Sequence, residues 1–282
     1  MSQTTFFQTL LASLFVIPYT YLFIYLPGKT LSHKITSTKL ESLLLSLVFG
    51  FSLYSLVIYS VRFINLPFWF AELSLLTPIL FKIFSIKIFS RKKILDSFSK
   101  LKLSPTLSSQ QKIFAILAAL LQGAVLLRSG NQTPQGIEFV NLSFHDSMQH
   151  LSFIRRLHST SDVAHPGFSG AQLKNYHYLI DSSLAAVTRF PWVSLFDVYY
   201  RLYPLFISLI FSISIFTFTR RVSSSEITAN LAVLFSIFSG NASFFVQFFR
   251  GPEYTWGANA FMINPLIDIL QNPASIFVLA QL

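Results

Sequence analysis

The residues best suited to chemistry lie in one polar stretch, Asn141-Leu-Ser-Phe-His-Asp-Ser-Met-Gln-His-Leu-Ser-Phe-Ile-Arg-Arg-Leu-His. Asp146 and His150 stand four apart, so a helix places them on one face. A carboxylate beside an imidazole can accept a proton from a hydroxyl, the imidazole orienting it, or the two can help hold a metal. Arg155 and Arg156 follow one turn later, and guanidinium groups grip phosphate bidentately. Each residue also has a plainer role open to it. Asp146 suits a helix N-terminus, His150 an ordinary surface position, and the arginines can snorkel to headgroups. A second stretch, Asn175-Tyr-His-Tyr-Leu-Ile-Asp-Ser-Ser-Leu-Ala-Ala-Val, offers Tyr176 and His177 at the head of another helix. A third, Arg250-Gly-Pro-Glu-Tyr-Thr-Trp, pairs Arg250 with Glu253 in a turn.

The elements that carry these residues follow from composition. Hydrophobic residues make up 52% of the 282, charged residues 11%, and Phe alone contributes 32 side chains. A soluble chain is typically about a quarter charged, too many more than this one offers for a water-facing surface. The absence of cysteine excludes disulfide scaffolds, thiolate metal sites and cysteine nucleophiles. A spanning helix needs about 20 mostly apolar residues. Phe6–Leu26, Leu43–Val61, Leu66–Phe81, Ile113–Leu127, Leu202–Phe218 and Ile227–Phe249 meet or approach that, and Ala274–Leu282 begins a partial seventh. Glu72 interrupts the third span; it lies near that span's start and is read as structural.

The expected fold is therefore an all-α integral-membrane, polytopic helix bundle. It has about six complete spans and one large helical extracytoplasmic loop, residues 129–192. Thirteen of the 21 basic residues fall in short loops on one side, among them Arg91, Lys92 and Lys93. The positive-inside rule puts that side in the cytoplasm and the N-terminus and long loop outside. Orientation thus accounts for the net charge of +10, and a nucleic-acid partner is not expected. Asn131-Gln-Thr, Asn141-Leu-Ser and Asn241-Ala-Ser match the glycosylation acceptor pattern.

The order of motifs is informative as a set. A loop-initial Asp146 is followed by His150, then a linker and a Tyr176-His177-Tyr-Leu helix. Next come an aromatic approach to a span (Asp197-Val-Tyr-Tyr-Arg-Leu-Tyr-Pro) and a basic turn (Arg220-Arg-Val-Ser-Ser-Ser-Glu) into an Ala-bearing helix. Over roughly residues 112–282 this resembles the polytopic glycosyltransferases of the GT-C superfamily, which use lipid-phosphate-linked sugars. By their apolar runs and charge, residues 1–111 form N-terminal membrane helices with a basic cytoplasmic loop, while the resemblance makes 112–282 the GT-C-like region. It implies that Asp146 is the catalytic base or a metal ligand. His150, Arg155, Arg156, Tyr176, His177, Arg250 and Glu253 would then bind substrate. A divalent cation, Mg or Mn, would draw on Asp146, His150 and Glu253. The donor would be a sugar on a polyprenyl phosphate, with membrane lipids as the surrounding partner. Two departures are plain: the family's acid usually follows its first span, and its members are longer. The second makes a C-terminally incomplete chain the expectation. A secondary transporter or lipid flippase, or a non-catalytic membrane subunit, are the alternatives; the mid-span segments carry little charge for the transporter.

Overall fold

The computed structural model describes residues 3–32, 38–89, 117, 130–138, 144–160, 171 and 178–238. The described chain is mostly helical. Helices α1 (Gln3–Thr20), α2 (Leu26–Ser32), α3 (Lys39–Phe63) and α4 (Phe68–Phe89) come first. A short hairpin follows, β1 (Asn131–Thr133) and β2 (Gly136–Glu138). The remainder is α5 (Phe144–Leu157), α6 (Leu179–Thr188), α7 (Leu195–Asp197), α8 (Tyr203–Ser223) and α9 (Glu226–Phe238).

Three stretches are long and apolar enough to cross a membrane: Phe7–Ser32, Lys39–Phe63 and Leu195–Ser223. Each runs past the C-terminal end of the apolar run that announced it, into polar residues that include Lys29, Arg62 and Arg220. Thr38 caps α3 reciprocally, its hydroxyl accepting from Glu41 N–H and its own N–H donating to the Glu41 carboxylate, both at 3.2 Å. Ser224, in a left-handed conformation with φ 56°, ends α8. Phe68–Leu80 and Glu226–Ser236 form shorter apolar helices. Of the other expected spans, Ile113–Leu127 lies outside the described residues except Leu117, as do the end of Ile227–Phe249 and all of Ala274–Leu282.

The first span is not one regular helix. Between Pro18 and Pro27 the chain widens into a π turn, Tyr21–Tyr25, where Leu26 N–H reaches back five residues to Tyr21 O. Pro18 and Pro27, neither of which can donate a backbone N–H, bracket this wider turn.

The chain divides into two compact units, one of residues 7–108 and 148–198 and one of residues 1–6, 109–147 and 199–282. In the first, α2 and α3 cross with their backbones almost touching. A Cβ on Gly28 would collide with the Ser46 carbonyl, and one on Gly50 with that of Ile24. Ser32 and Ser46 seal the crossing with a 2.8 Å hydroxyl pair. Close approach of this kind replaces the hydrophobic drive that lipid removes. In the second unit, the hairpin pairs Asn131 with Glu138 and Thr133 with Gly136, and Gly136 takes φ 132° at its turn. Asn131, buried, accepts from Arg201 Nη2 at 2.9 Å, which leaves its side chain no place for a glycan.

Gly50→Ala should therefore cost about 1–3 kcal/mol or more through overpacking against backbone. The thermal midpoint of the purified protein in lipid nanodiscs should fall by several degrees. An unchanged midpoint would mean that the crossing is not this tight.

Candidate functional site

The site is built around α6. Its sequence, Leu-Ile-Asp-Ser-Ser-Leu-Ala-Ala-Val-Thr, is small and apolar, and every residue from Ile180 to Thr188 is buried. A helix this buried must account for each polar group it carries. Ser182 and Ser183 donate to the carbonyls of Tyr178 and Leu179, and Thr188 to that of Leu184. Ser183 also lies 2.8 Å from the Ser55 hydroxyl, and its carbonyl accepts from Tyr54 at 3.1 Å. Tyr178, just before the helix, packs its ring 5.8 Å from that of Tyr59. These contacts join a segment of the long loop to the second membrane helix, α3.

Two charged groups of this segment are paired. The Asp181 carboxylate lies 2.9 and 3.0 Å from His150 Nδ1. A carboxylate only accepts, so Nδ1 carries the proton, and Nε2 is the ring nitrogen not turned to Asp181. Just beyond α6, Arg189 Nη2 meets Glu72 Oε2 at 2.8 Å. The other Glu72 oxygen accepts from Tyr19 at 2.6 Å. Tyr19 is in turn 3.1 Å from the Tyr54 hydroxyl. Tyr19 spends its proton on Glu72, so the single Tyr54 proton serves both Tyr19 and the Ser183 carbonyl. The Arg189 guanidinium also donates to the Ala186 carbonyl and sits 4.3 Å from the Phe190 ring and 5.3 Å from Phe68. The side chains of Glu72 and Arg189 are only 12% and 21% exposed.

Further along, Asp197 accepts from Thr9 at 2.6 Å and is buried. His158 Nε2 lies 3.0 Å from Thr188 Oγ1. Burial first, and then the nearby charges of Arg155 and Arg189, push the His158 imidazole down to about 4.

The structure places the expected site residues unevenly. Asp146 falls in the first turn of α5 and His150 one turn on, as the spacing implies. His150, however, is buried, and its Nδ1 partner is Asp181, a residue the sequence pattern did not single out. Arg155 and Arg156 are exposed at the end of α5, open to solvent or headgroups. Tyr176, His177, Arg250 and Glu253 lie outside the described residues. Glu72, read as structural, proves to be the hub of the buried network, with Arg189 as its unforeseen partner. The signal was present in the cost of a carboxylate inside a span, which demands a nearby cation. Among the described residues no three His, Asp or Glu side chains gather as a metal site. His150 with a carboxylate on Nδ1 has the support that metal-bound histidines usually have, but the other two members of its expected set are not among the described side chains. No known family, curated protein or solved structure matches the chain.

Removing one member of this half-buried pair strands the other. Arg189→Met should lower stability by about 2–4 kcal/mol, and the double variant Glu72→Gln/Arg189→Met should recover part of that. Denaturant or thermal unfolding in nanodiscs reads the difference; a double variant no better than the single contradicts the pairing.

For His158, the folded state disfavours the proton relative to the unfolded chain, whose histidine titrates near 6.5. The unfolded state therefore binds more protons between the two values, and stability falls as pH drops from about 6.5 toward 4. Above 6.5 the contribution is complete. His158→Gln should flatten this part of the stability profile, and a profile unchanged from wild type would refute the assignment.

Proposed function

We propose that this protein is an integral-membrane glycosyltransferase that moves a sugar from a lipid-phosphate donor to an acceptor on the extracytoplasmic face. The reading rests on the resemblance of residues 112–282 and on one structural observation. The helix that bears Asp146 in its first turn is tied by His150 to Asp181 on the buried α6. A base on a free loop would be poorly held, whereas one on a helix anchored to membrane elements keeps the fixed geometry that transfer requires.

In this mechanism the acceptor hydroxyl attacks the anomeric carbon, and its proton passes to the Asp146 carboxylate. The bond from that carbon to the phosphate oxygen breaks, and the lipid phosphate leaves with the electron pair. Arg155, Arg156 and Arg250 supply the positive charge that the departing phosphate needs. Tyr176, His177 and Glu253 contact the sugar. Inversion at the anomeric carbon is the outcome expected of a single displacement. The donor tail stays in lipid while its sugar is in water, so the reaction belongs at the interface. The proposed topology has the N-terminus and the loop of residues 129–192 outside. A divalent cation, if one binds, would neutralise phosphate charge.

One observation favours a second reading. A carboxylate–guanidinium pair linked to two tyrosines inside a membrane unit is also what a coupled transporter uses. Uptake of solute into proteoliposomes that disappears in Glu72→Gln would favour that reading.

The transferase reading is tested by Asp146→Asn in the full-length protein. Release of free polyprenyl phosphate from polyprenyl-phosphate-linked hexoses should fall by about 100-fold or more, with the unfolding midpoint unchanged. Release at the wild-type rate removes Asp146 as the base.

A further inference from the structure

The last turn of α3 carries a guanidinium that the Glu72–Arg189 pair leaves out. Arg62 is buried, 8% exposed, and lies 4.7 Å from the Phe68 ring, the same ring that Arg189 approaches. Its Nη1 makes a long bond, 3.4 Å, to the Leu66 carbonyl. Its Nε is sealed from solvent with no acceptor among the described residues. Glu72 pairs with Arg189 and accepts from Tyr19, and no contact between Glu72 and Arg62 is formed within ion-pairing distance. No other described carboxylate comes within ion-pairing distance of Arg62. Two guanidinium groups thus share one aromatic ring while only Arg189 has a carboxylate, leaving Arg62 a buried positive charge without a counterpart among the described residues.

Its position at a helix C-terminus accounts for part of this, because cations are favoured there. That contact uses one of five N–H donors. A cation buried this far is otherwise paired in proteins, and above all in membranes.

The depth of the group says which anion is at hand. Helix α3 has 25 residues, about 37 Å at 1.5 Å each, and so outreaches the ~30 Å hydrocarbon core. Its last turn therefore stands at headgroup level. Phe63, Trp69 and Phe70, all exposed beside Arg62 in the sequence, are the aromatic belt of that level. The anions abundant there are phosphate esters, whose geometry a guanidinium fork matches.

We propose that Arg62, on its Phe68 platform and beside Arg189, binds the phosphate group of an interfacial lipid. The site does not depend on Asp146 or on the transferase reading; a resident phospholipid and a lipid-linked sugar donor present the same chemistry to it.

The test is native mass spectrometry of the full-length protein released from detergent, titrated separately with phosphatidic acid, phosphatidylcholine and inorganic phosphate. The wild type should retain phosphatidic acid in preference to phosphatidylcholine. Arg62→Gln should weaken phosphatidic acid retention about tenfold, while Lys39→Gln, which removes a charge from the exposed opposite end of α3, leaves it unchanged. Displacement of the lipid by inorganic phosphate would uphold the site as one for the headgroup alone. Persistence of the lipid would uphold it as one for a lipid-borne phosphate. Wild-type retention in Arg62→Gln overturns the proposal, and so does equal loss in Lys39→Gln, which would mean diffuse attraction. If Arg62→Gln does not fold, Phe68→Leu removes the platform at constant charge. Retention should then fall severalfold, and unaltered retention would overturn the proposal.

Discussion

A carboxylate and a guanidinium withdrawn from water must find each other or be expelled. In this chain that requirement joins four segments distant in sequence. Glu72 comes from α4, Tyr19 from α1, Tyr54 from α3, and Arg189 from the turn after α6. Each partner contributes something the others cannot. Arg189 neutralises, Tyr19 satisfies the second carboxylate oxygen, and Tyr54 passes the network on to the α6 backbone. Lipid offers no hydrophobic reward for bringing helices together, so bonds like these, with the Gly28–Gly50 crossing, supply the specificity.

The same network holds part of the long loop. Once α6 is held by Ser55, Tyr54 and the Arg189–Glu72 pair, Asp181 is held too, and through it His150 and the helix α5. Thr188 adds a second tie to His158 at the end of that helix. The chain of contacts therefore runs from α3 through α6 to the His150 turn of α5.

Much of the architecture was legible because its signals are local. Apolar runs with backbone groups that lipid cannot satisfy have to be helical, and α3 and α8 appear where Leu43–Val61 and Leu202–Phe218 announced them. The helix α5 appears where the four-residue spacing of Asp146 and His150 pointed to one. The site was less legible because its bonds are long-range. Asp146 and His150 advertise themselves by spacing, yet His150 is bonded 31 residues away to Asp181, which sits in an apolar segment with no pattern of its own. Glu72 could be flagged by its cost, but nothing in the order of residues links it to Arg189, 117 positions on. The complete burial of α6 was not signalled by the polar, aromatic patch, Asn175-Tyr-His-Tyr, in which that helix was expected to begin. Its small residues, Ser182, Ser183, Ala185 and Ala186, were the available sign that another helix would press against it.

The account depends on α6 lying against α3, and the chain's lack of cysteine makes this directly measurable. With Ser55 and Ser183 both replaced by cysteine, mild oxidation in native membranes should form an internal disulfide, because the two hydroxyls are 2.8 Å apart. The link should be absent when either replacement is made alone. If instead both thiols react freely with a membrane-impermeant maleimide and no disulfide forms, α6 is a solvated loop segment and the anchored site does not exist.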